Sequence, residues 1–126
     1  MQSMQQTYNQ LQDNRQLLSK LISSLQKVNR KLAAAEEDYR RSMTKWIFLL
    51  KQKGYTGKLD GEKIEVGPCA WTVSNDLARG IPEVAELRME RDTLEGEKDA
   101  ILQKIYQVKI ELRLLEEEMA SIQKGE

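Results

Sequence analysis

Residues 4–50 read MQQTYNQLQDNRQLLSKLISSLQKVNRKLAAAEEDYRRSMTKWIFLL and contain neither proline nor glycine. Every seventh residue is apolar, and the series is Met4, Leu11, Leu18, Leu25, Leu32, Tyr39 and Trp46. An apolar repeat of this length is typical of a helix that packs against another helix along a narrow seam. The stretch therefore predicts a long helix over about residues 3–53, which Gly54 would end.

The positions that accompany this series are less regular. If the series occupies the d positions of a heptad, the a positions are Tyr8, Arg15, Ile22, Asn29, Glu36, Met43 and Leu50. Three of these seven residues are polar. Polar a positions lower stability but can fix the register and the choice of partner.

A second helix is predicted over about residues 82–123, because Pro82 suits a first helical position and Glu83 suits a first turn. Its seven-residue series is again apolar throughout: Leu87, Leu94, Ile101, Val108, Leu115 and Ile122. The companion series is Val84, Arg91, Lys98, Ile105, Leu112 and Met119. Residues 1–53 hold ten basic and four acidic residues, whereas residues 82–126 hold seven basic and twelve acidic. Opposite charge suits two helices that lie against each other.

The segment between the helices, residues 54–80, has the pattern of short strands. Asp60-Gly61 separates Tyr55–Leu59 from Glu62–Val66, which predicts a two-residue hairpin turn. Cys69–Ser74 is predicted as a third strand, and Ser74-Asn75-Asp76 can start a turn of helix that ends at Gly80.

The predicted fold is mainly α: an antiparallel two-helix coiled-coil hairpin with a small antiparallel β meander at the tip, in a single unit over residues 1–126. If Gln52 lies near Pro82, the numbers of paired residues add up to about 134, which places Glu36 level with Lys98.

Composition argues against catalysis. The 126 residues include one cysteine, Cys69, and no histidine. A disulfide framework, a conventional zinc site and a histidine-based triad are therefore excluded. No phosphate-cradling glycine motif occurs, so we expect no enzyme and no cofactor. Without a membrane-spanning run or a signal-peptide pattern, we expect a cytoplasmic protein with no membrane partner.

A second apolar stripe beside the main seam predicts a homo-oligomer, either a dimer or a tetramer. The predicted interface is Leu17, Leu21, Val28, Leu102, Tyr106, Ile110 and Leu114. Two alternatives stay open: a foreign helical partner, or a wide seam within one chain.

The tip predicts a surface for one protein partner, formed by Tyr55, Lys58, Asp60 and Trp71. Alternatively, Trp71 and Trp46 form the small core of the tip, which leaves Tyr55, Lys58 and the turn exposed.

Basic residues on the outer face of the first helix are the candidate contacts for nucleic acid. They are Lys20, Lys27, Arg30, Lys31, Arg41 and Lys45. The alternative is that these side chains only solvate the helix.

The order of helix, β element and helix resembles the β-class prefoldin subunits, which implies a chaperone that grips unfolded proteins. With Ala70-Trp71-Thr72-Val73, it also resembles the small coiled-coil proteins of bacterial viruses, including the Gam-type inhibitors of host nucleases. That resemblance implies DNA-end binding by a helical pair and a tryptophan-bearing β segment.

These patterns predict a non-enzymatic, self-associating protein that binds one macromolecular partner as an adaptor or inhibitor, encoded by a bacterial virus or mobile element. The alternatives are a nucleic-acid-binding protein that uses the basic face and a prefoldin-like chaperone.

Overall fold

The computed structural model describes residues 3–125 and contains, within them, three helices and one two-stranded sheet. In chain order these are α1 (Met4–Gln52), β1 (Tyr55–Leu59), β2 (Glu62–Val66), α2 (Trp71–Gly80) and α3 (Pro82–Gly125). The chain is mainly helical, as predicted. It divides into two compact units: the terminal unit, Met1–Asn29 with Gly96–Glu126, and the central unit, Arg30–Glu95.

Both ends of α1 are fixed by local hydrogen bonds. Ser3 N–H donates to Gln6 Oε1 (3.0 Å), and Gln6 N–H donates to Ser3 Oγ (3.2 Å). This reciprocal cap satisfies two donors that a helix start leaves unpaired. At the other end, Gly54 has a φ of 77° and its N–H donates to Leu50 O (3.2 Å). A Cβ at Gly54 would collide with the carbonyl oxygen of Val66, so this turn requires glycine.

The inward side of α1 combines the predicted apolar series with a second series three residues later. Thr7 is fully buried and Val28 is 9% exposed, whereas Tyr8 and Ile22 are 49% and 41% exposed. The buried companion series is Thr7, Asn14, Leu21, Val28, Ala35 and Ser42, all buried or half-buried. The first four predicted companions, Tyr8, Arg15, Ile22 and Asn29, are instead exposed, whereas the last three, Glu36, Met43 and Leu50, are half-buried or buried as predicted.

The error has a simple geometric cause. Residues three or four positions after a buried residue both lie near it on a helix, on opposite sides. The series with three-residue spacing contains the polar residues Thr7, Asn14 and Ser42. It is therefore no more apolar than the predicted series, and the sequence did not show that the first four predicted companions would be exposed.

In the terminal unit, α1 packs against α3 around a small core. Leu11 is 4% exposed, Val108 3% and Leu112 9%, and further side chains pack against these three. The further side chains are Leu17, Leu18, Leu21, Leu115 and Met119. Both predicted series of α3 are buried or half-buried along their whole length.

The contacts between the long helices correct the predicted register. Arg15 pairs with Glu116 in the terminal unit, and the Tyr39 ring lies under the Arg91 guanidinium in the central unit. The paired numbers add up to 131 and 130, about four less than predicted. The predicted register, with Glu36 level with Lys98, is therefore wrong by about one helical turn.

In the central unit, α1, α2 and α3 share a fully enclosed core with the sheet. Leu50, Ala78 and Val84 are 0% exposed and Ile81 is 2% exposed. The half-buried residues around them come from α1, β1 and α2: Tyr39, Met43, Trp46, Ile47, Tyr55, Leu59 and Leu77.

The predicted hairpin is confirmed, but the predicted third strand of the meander is wrong. β1 and β2 are antiparallel, with Tyr55 opposite Val66 and Leu59 opposite Glu62. Within the described residues, the sheet has only these two strands. Residues 71–80 form α2, because Ser74, Leu77, Ala78 and Ile81 recur at helical spacing and bury one face.

Candidate interaction surfaces

Trp71 lies at the first position of α2 beside the last turn of α1. Cys69 N–H donates to Leu50 O (3.0 Å), which ties the segment before α2 to the end of α1. Ser74 is 0% exposed, and its N–H donates to Ala70 O (2.9 Å). These contacts fix the position of Trp71, yet its side chain remains 60% exposed.

The exposed ring of Trp71 is part of a small cationic and aromatic surface. Lys51 Nζ lies 4.5 Å from the centroid of the Trp71 ring. Phe48, one helical turn before Lys51, is 58% exposed. We call Phe48, Lys51 and Trp71 the aromatic platform. A lysine over an aromatic face gains about 0.5–1 kcal/mol at an exposed site, so this arrangement holds the ring in place without covering it.

The alternative prediction that both tryptophans are buried is wrong for Trp71, but Trp46 does pack against the core. Trp46 is half-buried and meets Tyr55 edge-on, with 5.7 Å between ring centroids. Tyr55 is half-buried too, and its hydroxyl donates to Lys58 O (2.7 Å). The prediction that Tyr55 belongs to the exposed part of the tip is therefore wrong, and Tyr55 supports the hairpin.

The remaining predicted tip residues lie away from Trp71. Lys58 and Asp60 are exposed, and Asp60 N–H donates to Gly80 O (3.3 Å) at the end of α2. Trp71 begins the same helix, nine residues earlier. At 1.5 Å per residue this separation is about 14 Å, so Asp60 and Trp71 contribute to different surfaces. Cys69 is half-buried, and its thiol donates to Gly67 O (3.1 Å).

A polar contact links α1 to α3 beside the core of the central unit. Trp46 Nε1–H donates to Glu83 Oε2 (2.9 Å), and Lys45 Nζ lies 3.5 Å from the same oxygen. The hydrogen bond from Trp46, together with the charge of Lys45, lowers the pKa of Glu83. Because Glu83 is about half exposed, solvent weakens this ion pair.

In the terminal unit, the predicted oligomer interface separates into buried and exposed parts. Leu17 and Leu21 pack against the core, and Val28 is itself buried. Leu102, Tyr106 and Leu114 are 42%, 68% and 57% exposed, whereas Ile110 is half-buried. The residues of α1 in this set therefore belong to the seam within the chain, while three of the α3 residues face solvent.

The salt bridge between Arg15 and Glu116 (3.9 Å) marks one edge of this helical pair. Tyr8 and Ile22 lie seven residues to either side of Arg15, and Leu102 lies fourteen residues before Glu116. Whole heptads separate these residues from the ion pair, so they lie at the same edge. Tyr106 follows Leu102 by one turn.

The exposed apolar side chains of this edge are Tyr8, Ile22, Leu102 and Tyr106, which we call the apolar edge. The predicted companion series put Tyr8 and Ile22 in the seam, whereas a companion series offset by three residues puts them at the exposed edge.

Leu114 belongs to a different face. It lines an open groove with Gln10, Asp13 and Asn14 of α1 and with Glu111 and Leu115 of α3. None of the four residues of the apolar edge lines this groove. The predicted stripe from Leu102 to Leu114 therefore winds around α3, because steps of four residues advance by more than one turn.

The basic residues predicted to contact nucleic acid are all exposed: Lys20, Lys27, Arg30, Lys31, Arg41 and Lys45. Arg41 pairs with Glu37 (2.6 Å), and Lys45 pairs with Glu83. Within residues 3–125, the other four form no salt bridge. Lys20 and Lys27 lie in the terminal unit, whereas Arg30 and Lys31 lie in the central unit.

Two further features concern the part of the chain that the structure describes. There, no group of histidine, cysteine, aspartate and glutamate side chains is arranged to hold a metal ion. Over the same residues, no helix has the length and apolar character needed to cross a membrane. The chain matches no protein-family model, no curated protein and no solved structure.

Proposed function

We propose that this is a non-enzymatic, self-associating helical protein that binds one protein partner through the aromatic platform, as an adaptor or inhibitor. The observation that carries the proposal is the exposure of Trp71, whose ring is 60% accessible although the backbone around it is fixed. Exposed tryptophans on rigid supports are frequent anchors of protein interfaces, because they bury a large area with little loss of conformational freedom.

The chemistry of the platform favours a partner that offers an apolar side chain beside a carboxylate. Trp71 and Phe48 offer exposed apolar side chains, and Lys51 places a positive charge 4.5 Å from the centroid of the Trp71 ring. Within residues 3–125, Lys51 forms no salt bridge, so an incoming carboxylate does not have to displace one.

The packing within each unit supports a helical scaffold for this platform. We infer that in each unit α1 and α3 pack as an antiparallel coiled coil. The inward positions of both helices follow alternating spacings of three and four residues, which is the coiled-coil repeat.

The test is a pull-down from lysate of the source cells, treated with nuclease, with the full chain as bait. We expect one near-stoichiometric protein on wild type, its loss with Trp71→Ala, and at least a tenfold weaker affinity with Lys51→Glu. Val73→Ala is the matched control, because Val73 is 47% exposed on another side of α2. Equal retention by Trp71→Ala and wild type, with helicity unchanged, would refute the platform as the binding surface.

Nucleic-acid binding along α1 is a second candidate, favoured by the four exposed basic residues that form no salt bridge. Phosphate contacts make affinity fall steeply with salt. The pair Arg30→Glu and Lys31→Glu would then weaken duplex binding and reduce its salt dependence, whereas Trp71→Ala would not. Absence of DNA binding at about 50 mM salt would dismiss this candidate.

A further inference from the structure

One face of α3 in the terminal unit carries a charge pattern that reverses along the helix. Asp99, Leu102, Tyr106 and Lys109 follow one another at spacings of three, four and three residues, so they share a face. All four side chains are exposed. Within residues 3–125, neither Asp99 nor Lys109 forms a salt bridge.

The spacing of these residues reads the same in both directions, while the charge changes sign from one end to the other. An antiparallel second copy of this face would place Asp99 opposite Lys109 of the second copy, and Leu102 opposite Tyr106 of the second copy. The two-fold axis would repeat both contacts. A parallel copy would instead place Asp99 against Asp99 and Lys109 against Lys109, which is repulsive.

We propose that the occupant of the apolar edge is a second copy of this chain, which pairs antiparallel through Asp99, Leu102, Tyr106 and Lys109 of α3. The charges select the antiparallel arrangement, and the apolar pair supplies most of the affinity. Ile22 of α1 lies at the same edge and extends the apolar area.

The small core of the terminal unit is consistent with this occupant. Two helices cover only one face of each other, and the buried apolar side chains here are Leu11, Val28, Ile105, Val108 and Leu112. Oligomerisation is a common way to enlarge such a core. The pairing rests on the self-association in the proposed function and does not depend on a partner at the aromatic platform.

The test measures the dimer dissociation constant of the full chain by analytical ultracentrifugation. Tyr106→Glu should raise this constant roughly a hundredfold, because an aromatic anchor is lost in both copies. Leu114→Glu is the matched control: Leu114 is also exposed on α3 but faces the opposite groove, and its substitution should leave the constant within about twofold. Circular dichroism verifies that the variants keep their helicity.

Charge reversal tests the orientation separately. Asp99→Lys alone and Lys109→Asp alone should each weaken the dimer about tenfold, since two attractive pairs become repulsive. The double variant restores the opposite charges and should return to within about threefold of wild type. Failure of the double variant to recover would overturn the antiparallel pairing while leaving self-association intact. A wild-type chain that stays monomeric up to about 1 mM would overturn both.

Discussion

The central and terminal units are built on the same two long helices but differ in how completely they cover apolar side chains. In the central unit, α2 and the hairpin close the helical pair, and Leu50, Ala78 and Val84 are 0% exposed. Among the described residues of the terminal unit no further element covers the pair, and Tyr106 is 68% exposed. Two helices bury only the side chains along the seam between them, whereas a further element is needed to enclose side chains from every side. This difference is the basis of our proposal that a second copy of the chain covers the terminal unit, while the central unit closes its own core.

The largest expected effect separates the two cores. Leu50→Ala should lower the free energy of unfolding by about 4 kcal/mol, because the closed central core cannot collapse around the cavity. Leu11→Ala, in the open terminal core, should cost about 2 kcal/mol. Chemical denaturation measures both values. Equal losses would contradict the distinction between a closed core and an open seam.

Two glycines provide the next comparison. Gly54→Ala should destabilise by about 2–3 kcal/mol, because its φ of 77° is strained for alanine and the new Cβ meets the Val66 carbonyl oxygen. Gly96→Ala lies within α3 with open space around the new Cβ, so it should stabilise by about 0.5–1 kcal/mol. Thermal unfolding of the two variants should therefore move in opposite directions, and a shift of both in one direction would refute the assigned roles.

Lys98 tests the coiled-coil repeat of the terminal unit. It is half-buried in the inward series of α3, so Lys98→Leu should stabilise by about 1 kcal/mol. Lys104→Leu is the control, because Lys104 is exposed and lies outside that series. Denaturant titration at one fixed protein concentration makes the comparison, and equal effects of the two substitutions would argue against the repeat.

The smallest effect concerns pH and the exposed ion pairs. The pKa of Glu83 is lowered in the folded state, chiefly by the hydrogen bond from Trp46. Its contribution to stability is therefore present above the unfolded-state pKa of about 4.3 and is lost as the pH falls further. Glu83→Gln should be slightly less stable than wild type at pH 7, and the difference should be smaller at pH 3.

Glu116→Gln, in the exposed pair with Arg15, should change little at either pH. If the difference between Glu83→Gln and wild type is as large at pH 3 as at pH 7, its cause is packing and not charge.

The sequence predicted most of the fold because its strongest signals are long and local. The apolar seven-residue series, Asp60-Gly61 and Pro82 specified the helices and the hairpin. The third strand failed because Trp71 and Val73 suggested alternation over too few residues, while the longer pattern from Ser74 to Ile81 is helical. The buried face of α2 appears only when it packs on the end of α1.

The surfaces were predicted less completely, because they depend on which side of a helix meets its partner. Tyr8 and Ile22 were expected in the seam but lie at the exposed edge, because the buried companion series begins one residue earlier than predicted. Leu17 and Leu21 were expected at an oligomer interface but pack against the core of the terminal unit. A single apolar series cannot fix this choice when polar residues such as Thr7 occupy the buried side.

The most direct measurement is amide hydrogen exchange of the full chain, followed by mass spectrometry at about 1 μM and about 500 μM protein, concentrations on either side of a micromolar dissociation constant. We expect protection of peptides from residues 4–29 and 97–125 to rise with concentration, and protection of peptides from the central unit to stay constant. Concentration-independent protection throughout both units would show that the terminal unit is complete by itself, and would contradict its dependence on a second copy.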